Sequence, residues 1–429
     1  MFFRYDWLFK DRTTILKSNM QHNIIEKILN DKILWILSLY CKFNPFNLAA
    51  IQNFKFHQFC YTLLLLWEFI VMNLYAFIGF YYVLNDIFSV LQLFIFITMD
   101  LKMFLTTYRL STKYEELRKL FDATRIDFLS SSYKEKNIFE HNKSMCTKII
   151  NIYIFLCFLL IPLWILIPLF VKEYPFKKRD GSLIIYRNNI LNSFFSFIPI
   201  SIYEQIYPIV FTFEAINVLH IIFNVLFCNL IIIEFCWMLS TQLKIIALKC
   251  ETFGYNNLDL GQKNDCISMI NLKKLLLDHT RLNISIKNFY DIMKPLTIYS
   301  FGYYFDVFIL YTFLSILAFK KNDYVLSFTS MKYLLTTLMS SFNLFIICYF
   351  YNHLENEINR VQFVLYSIDW TGKSIAFKKM LLLTINLNNA NRLRMNITPQ
   401  KSLNLEVFGS AMRMSYSIIS LLAKKTNSK

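Results

Sequence analysis

Acidic side chains set inside long apolar runs are the residues of this chain best placed to do chemistry. Glu68, Asp100, Glu214, Glu234 and Asp306 each fall within or beside a hydrophobic block. A charge at such depth is costly enough to point to function by default. Hydrolytic or acid–base chemistry needs a second polar group within hydrogen-bond reach. His220 is the nearest candidate, six residues from Glu214, a spacing that puts the two on different faces of a helix. The chain contains no HExxH, so a zinc hydrolase is not indicated. Its nine cysteines form no CxxC pair, and Cys157, Cys228, Cys236 and Cys348 sit in apolar runs, as small packing thiols do. These patterns imply no metal, no cofactor, no disulfide framework and no enzyme.

The elements that position these groups are set by composition. Hydrophobic residues make up 56% of the chain and charged residues 17%, against about 25% charged in an average soluble domain. The apolar residues come in blocks of about twenty, the length of helix that crosses a hydrocarbon core of about 30 Å. No water reaches that core, so the backbone must bond within each block, and helices are required. Seven segments follow: 59–84, 87–108, 149–171, one starting near Tyr207, 296–319, 333–351 and a polar last one at 403–423. The expected fold class is therefore an all-α membrane protein with seven transmembrane helices, embedded in a lipid bilayer.

Lysine and arginine between the segments give an orientation. One side collects 31 of them and the other 11, which predicts a cytoplasmic N-terminus and an extracellular C-terminus. The net charge of +16 thus belongs to membrane topology, and no nucleic-acid partner is inferred. Sequons at Asn142, Asn283 and Asn396 all fall on the predicted cytoplasmic side, where they stay unmodified. The first residues lack the apolar core of a cleaved signal peptide, so the first membrane helix is expected to direct its own insertion. Outside the membrane, residues 114–124 and 272–290 carry helical periodicity, and such helices are expected to continue the membrane helices into a cytoplasmic anchor region. An amphipathic piece at 24–43 lies within the cytoplasmic N-terminal segment 1–58. With no repeat or long linker, 1–429 reads as one domain: 1–58, then six membrane helices with their linkers at 59–351, an anchor at 352–402 and a last helix at 403–423.

Other seven-helix classes fit poorly. A G-protein-coupled receptor has the reverse orientation and carries Asp/Glu-Arg-Tyr and Asn-Pro-x-x-Tyr triggers, neither of which occurs. A secondary transporter shows inverted repeats and broken helices, whereas this chain has only 7 glycines. In the last segment, helical spacing aligns Met412, Ser415 or Tyr416, Ile419 and Ala423, with Ser420 beside Ile419. On spacing alone, packing between helices is the simpler account of that stripe.

Two stretches carry a family resemblance. In the final eighty residues the order of parts, marked by Tyr349, Leu354, Tyr366, Trp370, Lys378, Lys379, Leu381, Phe408, Tyr416, Ser417 and Leu422, resembles the C-terminal end of insect odorant receptors. The stretch 275–310, with His279 at the matching position, is similar as well; His279 itself reads as a packing residue. The resemblance covers about 206–424, and the N-terminal half matches in layout only. Where the family often has a Cys-x-x-Gly turn, this chain has Tyr351, Asn352 and His353, so its sixth helix is expected to run on unbroken. The linker after the fourth helix lacks the long insertion of the common co-receptor. Ser415-Tyr416-Ser417 also departs from the Thr-Tyr pattern of the related gustatory receptors, which remain the alternative.

The resemblance implies an odour-tuning subunit that joins the insect odorant co-receptor in a heterotetramer, forming a non-selective cation channel in the plasma membrane of olfactory neurons. It implies a central pore lined by the last helix of each subunit, with Ile419 at the gate and Met412, Ser420 and Ala423 along the pore. A ring of aliphatic side chains can close such a pore by dewetting. Glu406 and Arg413 are then placed to pair across subunits or line the inner mouth. The ligand site is implied in the outer half, where Phe88, Leu91 and Phe94, Trp164 and Ile167, Phe213 and Asn217, and Tyr333, Thr337 and Ser340 are the candidates. Such a site suits a small hydrophobic volatile. Burying about 250 Å² yields about 6 kcal/mol, hence micromolar or weaker sensitivity.

Overall fold

The computed structural model describes residues 87–129, 133–171, 173–177, 183–190, 199–253, 263–320, 324–390 and 393–427, with isolated helical residues between 69 and 81. Residues 1–58, most of the first apolar block, and Glu68 lie outside the described residues. The chain divides into two compact units, Met1–Thr62 and Leu63–Lys429, and the described elements belong to the second.

In chain order these elements are α1 (Ile87–Thr112), α2 (Tyr114–Leu120), a 3-10 turn (Phe121–Thr124) and α3 (Tyr133–Phe170). A hairpin follows, β1 (Glu173–Lys177) with β2 (Leu183–Arg187), and then α4 (Ile200–Glu251), α5 (Lys263–Lys320) and α6 (Tyr324–Tyr366). The chain closes with α7 (Ile375–Ala390), a short hairpin of β3 (Asn396–Thr398) and β4 (Lys401–Ser402), and α8 (Leu405–Asn427). Among the described residues, α1 and α3 to α6 are long and apolar enough to cross a membrane.

Three of these helices outrun any bilayer. With 52, 58 and 43 residues, α4, α5 and α6 each exceed the roughly 20 residues a span requires. The periodicity at 272–290 is the reason for α5: Leu272, Leu275, Leu276, His279, Leu282, Ile286 and Phe289 are all buried on one face. His279 sits in that stripe as a packing residue, with Asn283 at 3.3 Å. Helix α6 passes through Tyr351, Asn352 and His353 without a break, as expected. Both hairpins are additions to the all-helical expectation; β1 and β2 pair antiparallel from Glu173–Arg187 to Lys177–Leu183.

The end of the bundle remote from β1–β2, here termed the anchor end, is densely packed. From Leu226 to Cys250 most of α4 is buried, and the Phe235 ring lies 4.8 Å from Phe121 and 5.2 Å from Phe289. Tyr351 meets Phe289 at 6.2 Å and shares a hydrogen bond with Thr297 at 2.9 Å. Ion pairs lace the same end: Lys249 with Glu135 at 3.4 Å, Arg360 with Glu251 at 3.0 Å, and Arg394 with Glu355 at 3.0 Å. Partly exposed pairs of this kind contribute little each. Aromatic and aliphatic burial therefore holds the anchor together.

Farther up the bundle, one polar network ties five helices. The side-chain nitrogen of Asn229 on α4 lies 2.7 Å from the Tyr153 hydroxyl of α3, 3.3 Å from the Tyr304 hydroxyl of α5 and 3.0 Å from the Asn343 oxygen of α6, so its two protons are shared among three acceptors. Tyr153 also donates to Asn343 at 2.8 Å, and Lys102 of α1 donates to the Tyr304 hydroxyl at 2.8 Å. Lys102 lies over the rings of Tyr303 and Tyr304 as well. Asp100 and Lys102 are both buried in protein. Exchanging Asn229 for leucine should cost about 1–3 kcal/mol, because it strands buried hydroxyls. A double-mutant cycle of Asn229→Leu with Tyr153→Phe, read by thermal unfolding in detergent, should show coupling of about 0.5–3 kcal/mol.

Candidate ligand pocket and last helix

At the hairpin end, four long helices meet around a second, more aromatic cluster. Leu93, Ile95 and Phe96 come from α1, Tyr203 and Tyr207 from α4, Val307, Tyr311, Leu314 and Ala318 from α5, and Tyr333 from α6. Leu91, Phe213 and Trp164 of α3 pack against it, with Tyr303 and Phe211. Tyr311 stacks on Tyr333 at 5.3 Å, and Tyr207 lies 6.0 Å from Tyr203 and 5.9 Å from Phe211. The Tyr333 hydroxyl accepts a hydrogen bond from Gln92. Tyrosines suit this location, since the ring buries apolar area while the hydroxyl finds a polar partner.

The segment after β2 is fastened over this cluster by charged groups. The backbone N–H of Ile190 donates to the Glu214 carboxylate at 2.8 Å, and the Ile190 carbonyl accepts from Lys332 Nζ. One peptide segment is thus gripped by an acid on α4 and a base on α6. Lys332 also stands 4.1 Å above the Trp164 ring. Tyr203 donates to the Arg187 carbonyl at 3.0 Å, Tyr207 to that of Asn188 at 2.8 Å, and Asn188 to that of Val171 at 2.9 Å. Glu214 is therefore a structural clamp beside the cluster. Lys332, counted from the sequence among loop charges, is instead buried within α6.

The ten sequence-derived ligand candidates divide on this geometry. Leu91, Trp164, Phe213 and Tyr333 converge in the cluster, and Ile167 is half-buried one turn beyond Trp164. Phe94 points away, 46% exposed between two buried neighbours, so its ring lies outside the cluster. The side chain of Phe88 lies outside the described residues. Thr337 and Ser340 are buried, but their hydroxyls bond the carbonyls of Tyr333 and Thr336 on their own helix. Asn217 is fully buried. Sequence reading passed over Tyr203, Tyr207 and Tyr311, although Tyr203 and Tyr207 stand four residues apart, one turn of helix.

Helix α8 packs against α5 and α6. It starts at Asn404, whose side chain accepts the Val407 N–H at 3.0 Å, a standard N-terminal cap. Ala411 and Ser415 are buried against the bundle, and Phe408 meets Phe345 of α6 at 5.6 Å. The opposite face is open: Arg413, Ser417, Ser420 and Lys424 stand there with Tyr416 at 76% and Leu421 at 70% exposure. Met412, Ile419 and Ala423 are half-buried on the border between the two faces. Ser415, one of the two options for the predicted stripe, is committed to the bundle, where its hydroxyl bonds the Ala411 carbonyl. Glu406 and Arg413 are both exposed, with Arg413 3.4 Å from Ser410.

A helical bundle with five helices long and apolar enough to cross a membrane among the described residues, an aromatic cluster at one end and an amphipathic final helix defines a multi-pass membrane protein. The model of the 7tm Odorant receptor family matches residues 83–416. This chain belongs to the odorant receptor family, a family of receptors and not of enzymes. The Drosophila melanogaster protein "Odorant receptor 46a, isoform B" is 35% identical over 91 residues, which span 21% of this chain and 23% of that relative. The olfactory receptor OR5 from Machilis hrabei shares the fold with a TM-score of 0.68 at 13% identity, covering 94% of this chain and 98% of that one. Its structure in complex with eugenol matches at the same TM-score, with 14% identity over 94% and 99% of the two chains. The gustatory and G-protein-coupled alternatives are set aside by this family assignment.

Replacing Lys332 by methionine removes the buried base that holds the Ile190 carbonyl opposite Glu214, and should destabilise the receptor by about 3–5 kcal/mol. A Lys332→Met, Glu214→Gln double variant should recover much of that loss. Thermal unfolding of the purified receptor measures both.

Proposed function

We propose that this chain is the odour-tuning subunit of a ligand-gated, non-selective cation channel assembled with the insect odorant co-receptor as a heterotetramer. The observation that carries the reading is the open face of α8. A membrane helix exposing Arg413, Ser417 and Ser420 beside Tyr416 and Leu421 is too polar to face lipid and is stable only against protein or water. Four such helices around an axis satisfy both needs. Met412, Ile419, Ser420 and Ala423 then line the pore, with Ile419 as the aliphatic constriction that dewetting closes.

The excess of lysine and arginine, 31 against 11, supports a cytoplasmic N-terminus and an extracellular C-terminus. In that frame 1–429 acts as one receptor domain: 1–58 cytoplasmic, 59–351 the six-helix body, 352–402 the cytoplasmic anchor and 403–423 the pore helix. The aromatic cluster faces outward, and Leu91, Trp164, Ile167, Phe213, Asn217, Tyr333, Thr337 and Ser340 belong to the ligand site or its wall, with Phe88 a further member and Phe94, whose ring points away, outside it. The ligand is a small volatile held mainly by apolar burial. The site of action is the plasma membrane of the olfactory neuron dendrite.

Whole-cell recording from cells expressing the chain alone and with the co-receptor tests this reading. Odour-evoked cation current that needs both subunits and no G protein is expected. Silence across a broad volatile panel, with both subunits at the surface, counts against it. Ile419→Ser should raise the resting current, and an unchanged baseline at normal surface expression would remove Ile419 from the gate.

A further inference from the structure

The buried amides among the described residues make at least one hydrogen bond each, with Asn217 the exception. Asn224 reaches Thr107 at 3.3 Å, Gln242 reaches the Arg125 carbonyl at 2.8 Å, and Asn229 joins the five-helix network. Asn217, 1% exposed, has neither its oxygen nor its nitrogen in a hydrogen bond. Burying both ends of an amide without a partner is costly, and native proteins retain such groups chiefly where function uses them.

The position of Asn217 says what could use it. On α4 it stands one turn from Phe213, which packs on the aromatic cluster, and three residues from the clamp acid Glu214. Asn224 is seven residues farther along, on the same helix face, where it meets Thr107 of α1. Ile97 and Met99 of α1 and Tyr303 of α5 also pack against the cluster. Asn217 thus lies on α4 between the turn of Phe213, beside the aromatic cluster, and Asn229 of the five-helix network.

We propose that Asn217 is the specificity-determining contact of the ligand site, and that it selects volatiles carrying a neutral oxygen function over hydrocarbons of the same shape. This rests on the receptor function proposed above. An amide offers both an acceptor and a donor: Oδ1 accepts a hydrogen bond from an alcohol, and Nδ2 donates one to a ketone, aldehyde or ester. Thr337 and Ser340 do not supply this contact, because their hydroxyls bond their own helix. A site built to hydrogen-bond an oxygen rejects the analogue lacking it much more strongly than an apolar pocket rejects one methylene.

Matched pairs test the proposal: acetophenone against ethylbenzene, and hexanol against heptane, with the receptor and co-receptor expressed together. Concentration–response curves in the wild type should favour the oxygenated member of each pair by about tenfold or more. Asn217→Leu, of similar volume, should bring the ratio close to one while hydrocarbon responses persist. Asn217→Ser, which keeps a donor and an acceptor, should retain a preference. Equal ratios in wild type and Asn217→Leu overturn the inference and leave the receptor reading intact. If Asn217→Leu does not reach the surface, the wild-type ratio decides, and no preference for oxygen overturns the inference. Silence of the wild type to the whole panel, with both subunits at the surface, overturns the receptor reading and this inference with it.

Discussion

The absence of water from the membrane core governs this molecule more than any single contact. Every backbone group there must bond within its own helix, and every polar side chain must find its partner inside the bundle. The response is visible in the network of Lys102, Tyr153, Asn229, Tyr304 and Asn343, drawn from five helices. Apolar packing does little to choose between registers of helices surrounded by equally apolar lipid. Shared hydrogen bonds do choose, because each has one geometry that satisfies all its members.

The same constraint sorts the chain into regions of different character. The anchor end buries the middle and end of α4 between α5 and α6, with rings in contact and ion pairs outside. Toward the hairpin the packing changes to tyrosines whose hydroxyls reach the peptide segment above them. That segment is held by an acid and a base on different helices, so helix position and loop position are mechanically joined. A ligand that alters the spacing of α4 and α6 would be felt at both. Helix α8 lies against α5 and α6, the helices that contribute Tyr311 and Tyr333 to the cluster. Few steps therefore separate the cluster from the last helix.

Buried charge here serves position, with no sign of catalysis. Glu214 is committed to a backbone N–H, and Lys332 to a carbonyl and an indole face. His220, its only sequence-level partner for chemistry, lies six residues along the helix. Asp306, which the sequence placed inside a membrane segment, is exposed on α5. The expense of intramembrane charge is a sound guide to importance, but the importance can be architectural.

By itself the sequence determined that long apolar blocks become membrane helices, because block length and backbone bonding leave no other solution. It also determined the helical continuations: the stripe through Leu272, Leu282 and Phe289 has one helical phase, and the residues at Tyr351 to His353 contain nothing to stop α6. The odd polarity of the last helix was equally legible. Four ligand candidates, Leu91, Trp164, Phe213 and Tyr333, met in one cluster because they share the depth that membrane crossing imposes. Only the tertiary structure decided which face of each helix turned inward, and that put Phe94 outside and brought in Tyr203, Tyr207 and Tyr311. It also decided the partners. Hydrogen bonds between residues 142 positions apart, as for Lys332 and Ile190, leave no trace in local spacing. Lys332 looked like a loop charge and Asn217 like one of ten ligand candidates until packing gave the first two partners and left both polar atoms of the second without a hydrogen bond.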